Sequence, residues 1–84
     1  MTPEVLEAYI REFLAREFEI IDPGRDENLP ERYDFDSIDA LELITALEDH
    51  FRVTLTVAQK KQLFQYRSIA GICGQLAEIL NRGV

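Results

Sequence analysis

Scarcity marks this sequence before any motif does: among 84 residues there is no Trp and only one Cys, one His and one Met, with three Pro and four Gly. A lone cysteine, Cys73, has no internal partner, so the fold depends on packing and not on disulfides. One His and one Cys also leave little from which to build a catalytic constellation. Ser37 and His50 fall on one expected helix and lie roughly 20 Å apart along its axis, far beyond hydrogen-bond reach. Cys73 occupies a helical apolar position with no activating neighbour and reads as core. Nor do Asp34, Asp36 and Asp39 open a calcium loop, because the third acid is one position late, the sixth residue is Asp39 in place of Gly, and the twelfth is Thr45 in place of Glu. The sequence therefore predicts neither an enzyme nor a metal site.

Two further shortages bound the setting. No apolar run approaches membrane-spanning length, and the opening Met1-Thr2-Pro3-Glu4 lacks a basic segment followed by an apolar one, so the expectation is a cytoplasmic protein without membrane insertion. Basic residues are outnumbered nine to sixteen by acids, giving a net charge of −7 that repels nucleic acid and anionic lipid and favours partners with basic patches. What is present is a globular balance of 46% hydrophobic and 30% charged residues, enough for one modest core. A single monomeric domain spanning residues 1–84 is expected.

Helical periodicity dominates the chain. Leu6, Tyr9, Ile10, Phe13 and Leu14 recur at three- and four-residue steps from Thr2 to Phe18, with Thr2 as N-cap and Pro3 at the first helical position. Residues 19–35 lose the period and carry Pro23, Gly24 and Pro30, which predicts a long loop pinned by Leu29, Tyr33 and Phe35. A second helix is predicted from about Ser37 to Phe51, with Leu41, Ile44, Leu47 and Phe51 as its core stripe. A short third helix follows from Thr56 to about Phe64. The last starts near Ser68 as cap and follows Ile69, Ile72, Leu76, Ile79 and Leu80 to an end signal at Asn81-Arg82-Gly83, although Gly71 and Gly74 weaken it.

Chemistry concentrates at the start of the second helix. Asp36 can cap it, with Asp39 three residues on as a variant capping box, whereas Ser37 as cap would put Ala40 in the reciprocal position. Ser37 is then dispensable for capping, though a serine at a helix start is often only a cap. Between Asp34 and Asp49 stand six carboxylates and no Lys or Arg. Asp39, Glu42 and Asp49 fall on an arc opposite the apolar stripe with Glu48 on its flank, and Ile38 lies roughly 140° from the stripe's centre, beside the acids. Glu48 and Asp49 oppose the dipole of the last turn, which argues for a docking face over a merely solvated one.

The run Tyr33-Asp34-Phe35-Asp36-Ser37-Ile38-Asp39-Ala40-Leu41-Glu42-Leu43 closely resembles the modification site of acyl carrier proteins, and Ile44-Thr45-Ala46-Leu47-Glu48-Asp49-His50-Phe51 looks like that family's acidic second helix. The resemblance implies an all-α, four-helix bundle of acyl-carrier-protein type, with a long loop between helices 1 and 2 and a short third helix. It implies further that Ser37 receives 4′-phosphopantetheine from coenzyme A through a phosphopantetheinyl transferase, and that the arm's thiol carries an acyl group as a thioester. Asp36, Ile38, Asp39, Glu42, Glu48 and Asp49 then match positions that dock acyl-loading and acyl-transferring enzymes through their basic patches.

The chain departs from the pattern in four places. Ile38 stands where Leu is usual, Asp34 where Gly is usual and Thr45 where an apolar residue is frequent, and Val57-Ala58-Gln59-Lys60-Lys61-Gln62 lacks the customary acids of the third helix. These departures point to a carrier for a specialised lipid or secondary-metabolite pathway in place of housekeeping fatty acid biosynthesis. An acyl cavity is expected near Ile44, Leu47, Leu63 and Ile72. The alternative is an unmodified carrier-like module that docks basic partners through the acidic helix alone.

Overall fold

The computed structural model describes residues 2–82 and consists of five helices, α1 (Pro3–Phe18), α2 (Leu29–Tyr33), α3 (Ser37–Phe51), α4 (Val57–Phe64) and α5 (Ile69–Arg82). Three of the helix starts follow directly from side-chain chemistry. Thr2 is extended and its hydroxyl accepts the Val5 N–H, with Pro3 placed where its missing N–H costs nothing. Thr56 and Gln59 form a reciprocal capping box at α4, and the Ser68 hydroxyl accepts the Gly71 N–H at 3.1 Å at the start of α5. The Gly83 end signal lies outside the described residues.

The segment between α1 and α3 is partly helical, where the sequence predicted only loop. Five residues are too few to show a 3.6-residue period, but the capping signal is there: the Asn28 side chain accepts the Glu31 N–H at 3.0 Å, with Pro30 in the first turn. The expected pins hold, since Leu29 and Phe35 are buried and Tyr33 packs half-buried against the core. Polar ties fix the rest of the crossover. Arg11 on α1 donates to the Pro23 carbonyl at 2.7 Å, and Arg25 reaches Glu7 at 2.9 Å. Arg11, with Arg25 behind it, holds the Glu7 carboxyl below the ordinary carboxylate range against the opposing effect of burial. Main-chain bonds from Leu29 N–H to the Arg67 carbonyl and from Ala70 N–H to the Arg25 carbonyl then fasten the crossover to the loop before α5.

Helix α1 packs on α5 and α3, and α4 packs on α5 and α3, so all four long elements share one core. Leu6, Ile10 and Leu14 of α1 meet Ile69, Cys73 and Leu76 of α5 and Leu43 and Leu47 of α3 in that core. Fully burying such a side chain contributes roughly 1.5–3 kcal/mol. The arrangement is the all-α bundle of acyl-carrier-protein type, with its long crossover and short fourth element, extended by the one-turn α2.

The core face of α3 differs from the predicted stripe. Leu43, Ile44 and Leu47 are buried, Phe51 is half-buried, and Leu41 is 46% exposed. Two sets satisfy helical spacing here, one through Leu41 and one through Ala40 and Leu43. They differ by a rotation of about 45° about the helix axis. Packing chooses the second, because the small Ala40 turns toward the bundle and leaves Leu41 outside.

Candidate functional site

The start of α3 is built as the sequence predicts. Asp36 is the N-cap, its Oδ1 accepting the Asp39 N–H at 2.9 Å, while Asp39 Oδ2 accepts the Asp36 N–H at 3.3 Å. Ser37, the first helical residue, is exposed and takes no part in this box. Just upstream, Asp34 adopts the left-handed conformation at φ 56° and its N–H donates to the Leu29 carbonyl, closing α2. Asp is among the few L-residues that tolerate this conformation, which otherwise favours glycine.

Beside Ser37 opens a mostly apolar cleft of about 280 Å³. The start of α3 lines it with Asp36, Ser37, Ala40, Leu43 and Ile44, the crossover with Pro30 and Phe35, and the region from α4 to α5 with Leu63, Phe64, Tyr66, Arg67 and Ile72. At ~30 Å³ of liquid volume per water molecule, the space matches about nine waters or a short hydrocarbon chain. Of the residues expected around an acyl cavity, Ile44, Leu63 and Ile72 line the cleft. Leu47 does not; it is buried in the core one turn beyond.

Tyr66 is held at the cleft by a short polar chain. Its hydroxyl donates to Gln75 Oε1 at 3.2 Å, and Gln75 donates in turn to Gln62 Oε1 at 3.1 Å. The ring lies so close to α5 that a Cβ at Gly71 would sit 2.9 Å from Tyr66 Cδ1, and this close approach accounts for a glycine inside the helix. Phe64, Tyr66 and Arg67 escaped the sequence reading, because they sit at the end of α4 and in the loop beyond it, where no period places a side chain on a face.

The outer face of α3 carries Asp36, Glu42 and Asp49, all exposed, with Asp39 half-buried next to them. Ile38 is 68% exposed, as its angular position predicts, and Leu41 joins it. Glu48 is a correction to the expected outward set. Its Oε2 accepts the Leu55 N–H at 2.8 Å and its Oε1 pairs with Lys60 at 3.4 Å, so its carboxylate fastens the loop between α3 and α4. The cause is the αL turn at Arg52, which folds that loop back under the last turn of α3. His50 stacks on Tyr9 at 4.1 Å at the far end of α3 from Ser37. Cys73 is a buried core residue whose thiol burial pushes up to about 11, well above the range of a nucleophile.

Among the described residues, no helix is long and apolar enough to cross a membrane. Comparison with curated proteins and with solved structures returned no match. A family model described as the phosphopantetheine attachment site matches residues 4–76, which include the capping box, Ser37, the cleft-lining residues and the acidic face of α3. The chain thus belongs to the phosphopantetheine attachment site family, whose members are carriers, not enzymes, and bear 4′-phosphopantetheine covalently on a serine.

Proposed function

We propose that Ser37 is the attachment serine and that this protein carries an acyl group as a thioester on the arm, within a specialised lipid or secondary-metabolite pathway. One observation carries the reading. Ser37 is an exposed hydroxyl at the first position of α3, released from capping by the Asp36–Asp39 box, and it lies on the rim of an apolar cleft. A phosphodiester there meets the free N–H groups and the positive end of the helix dipole. The apolar lining suits a hydrocarbon cargo.

The partners are a phosphopantetheinyl transferase and acyl-handling enzymes with basic patches. Their contact is the face of Ile38 and Leu41 flanked by Asp36, Asp39, Glu42 and Asp49, where charge supplies steering and the two apolar side chains supply buried area. Glu48 contributes by holding the end of that face in place. The protein acts as one monomeric cytoplasmic carrier domain.

The test is incubation with coenzyme A, magnesium and a broad-specificity transferase, followed by peptide mass spectrometry. One phosphopantetheine on the peptide containing Ser37, absent from Ser37→Ala, is the expected result. An unmodified Ser37, with transferases of the source organism included, ends the carrier reading at this residue and leaves an unmodified module that docks through its acidic face.

A further inference from the structure

From the charges around the cleft we infer that Arg67, in the lining shared with Ser37, is the counter-ion of the arm's phosphodiester. The inference rests on Ser37 as the attachment serine. In a chain of net charge −7, a cation finds a carboxylate easily, and Arg11, Arg16, Arg25, Arg32 and Lys60 each do so. Arg67 does not. Among the described residues it lines the cleft with Asp36 and Ser37, is exposed, and forms no side-chain ion pair or hydrogen bond. Among the described residues no other Lys or Arg lines that cleft.

Asp36, the acid among the described residues of that lining, is engaged in the cap of α3 through Oδ1 and forms no ion pair with Arg67. The Arg67 backbone is meanwhile pinned, because its carbonyl accepts the N–H of the fully buried Leu29 at 2.8 Å. A planar guanidinium on a fixed backbone, in the lining of the cleft that also holds Ser37, suits the non-bridging oxygens of a phosphodiester, which it can engage with two parallel N–H bonds. The phosphate is also the one anion always present once the arm is attached, and its tether supplies a high effective concentration. With the phosphate held at the rim, the rest of the arm leaves along the apolar lining.

The experiment compares the phosphopantetheinylated wild-type protein with R67Q and R67K. Mass spectrometry first establishes that each carries the arm on Ser37. The ³¹P resonance of the phosphodiester and the Arg67 Nε–Hε resonance are then followed from about 10 mM to about 1 M salt, over which the screening length falls from about 30 Å to about 3 Å. The expected result is a ³¹P shift that depends on salt in wild type and R67K and at least about twofold less in R67Q, together with movement of the Arg67 Nε–Hε resonance on attachment of the arm. Coincident ³¹P resonances in wild type and R67Q at low salt, with Ser37 fully modified, overturn the role of Arg67 and leave the carrier reading standing. Absence of the arm from Ser37 in wild type overturns both.

Discussion

Ser37 and Asp36 are neighbours at one helix start, and the geometry divides their work so sharply that two substitutions separate them. Asp36→Ala removes the acceptor for the Asp39 N–H and strands the reciprocal contact from Asp39 to the Asp36 N–H. Loss of such a cap costs about 0.5–2 kcal/mol, typically ~1. For a chain of this size that corresponds to a melting temperature lower by about 4–8 °C per kcal/mol. Ser37→Ala removes a hydroxyl that makes no cap bond and places the best helix former at the first helical position, so stability stays within about 0.5 kcal/mol of wild type or rises. The assay is thermal melting by circular dichroism near physiological salt, where repulsion among the acids of α3 is screened, paired with phosphopantetheine loading by mass. Asp36→Ala should melt early yet retain some loading, and Ser37→Ala should melt like wild type and load nothing. A Ser37→Ala protein destabilised as much as Asp36→Ala would refute the argument, because the hydroxyl would then be the cap.

Three other outcomes follow from the geometry. Asp34 is left-handed at φ 56°. Asp34→Gly should therefore raise stability by about 0.5 kcal/mol after the entropy of glycine is counted, and Asp34→Val should lower it by about 1–2 kcal/mol; equal denaturation midpoints for the two variants would sink the idea. Glu48→Ala leaves the N–H of the buried Leu55 without its acceptor and should cost about 1–3 kcal/mol in urea unfolding, with Glu48→Gln milder; an unchanged midpoint for the alanine variant would show that the loop stands without it. Cys73, with its thiol raised to about 11 by burial, stays protonated near pH 8, so a thiol reagent should titrate no group in the folded apo-protein and one, the arm's, after loading. Rapid modification of Cys73 in native apo-protein would contradict its place in the core.

The legible parts of this fold were those written in nearest neighbours. Thr2 with Pro3, Asp36 with Asp39, and the three- and four-residue apolar spacing of α1 and α5 depend on contacts within one or two helical turns, and the structure keeps all of them. Helix α2 was missed because five residues are shorter than the period that reveals a helix. Leu41 and Leu43 were exchanged because spacing alone allows two stripes on α3, and the contact with the rest of the bundle decides between them. Three helices end at Glu19, Asp34 and Arg52 in the left-handed conformation without glycine, so the usual stop signal was absent from the sequence.

At the site the same division holds. Local chemistry in the sequence determined that Ser37 opens α3 without capping it, that Ile38 faces outward, and that the surrounding surface is acidic, since each depends on residues within a few positions of one another. Only tertiary structure decided that Glu48 turns inward to the Leu55 N–H, that a cleft opens between α3 and α4, and that Arg67 lines it together with Ser37. Glu48 follows from the αL turn at Arg52, whereas the place of Arg67 rests on the loop after α4, which bonds back to Leu29. The latter contact spans tens of residues, and neither periodicity nor capping carries information over that distance.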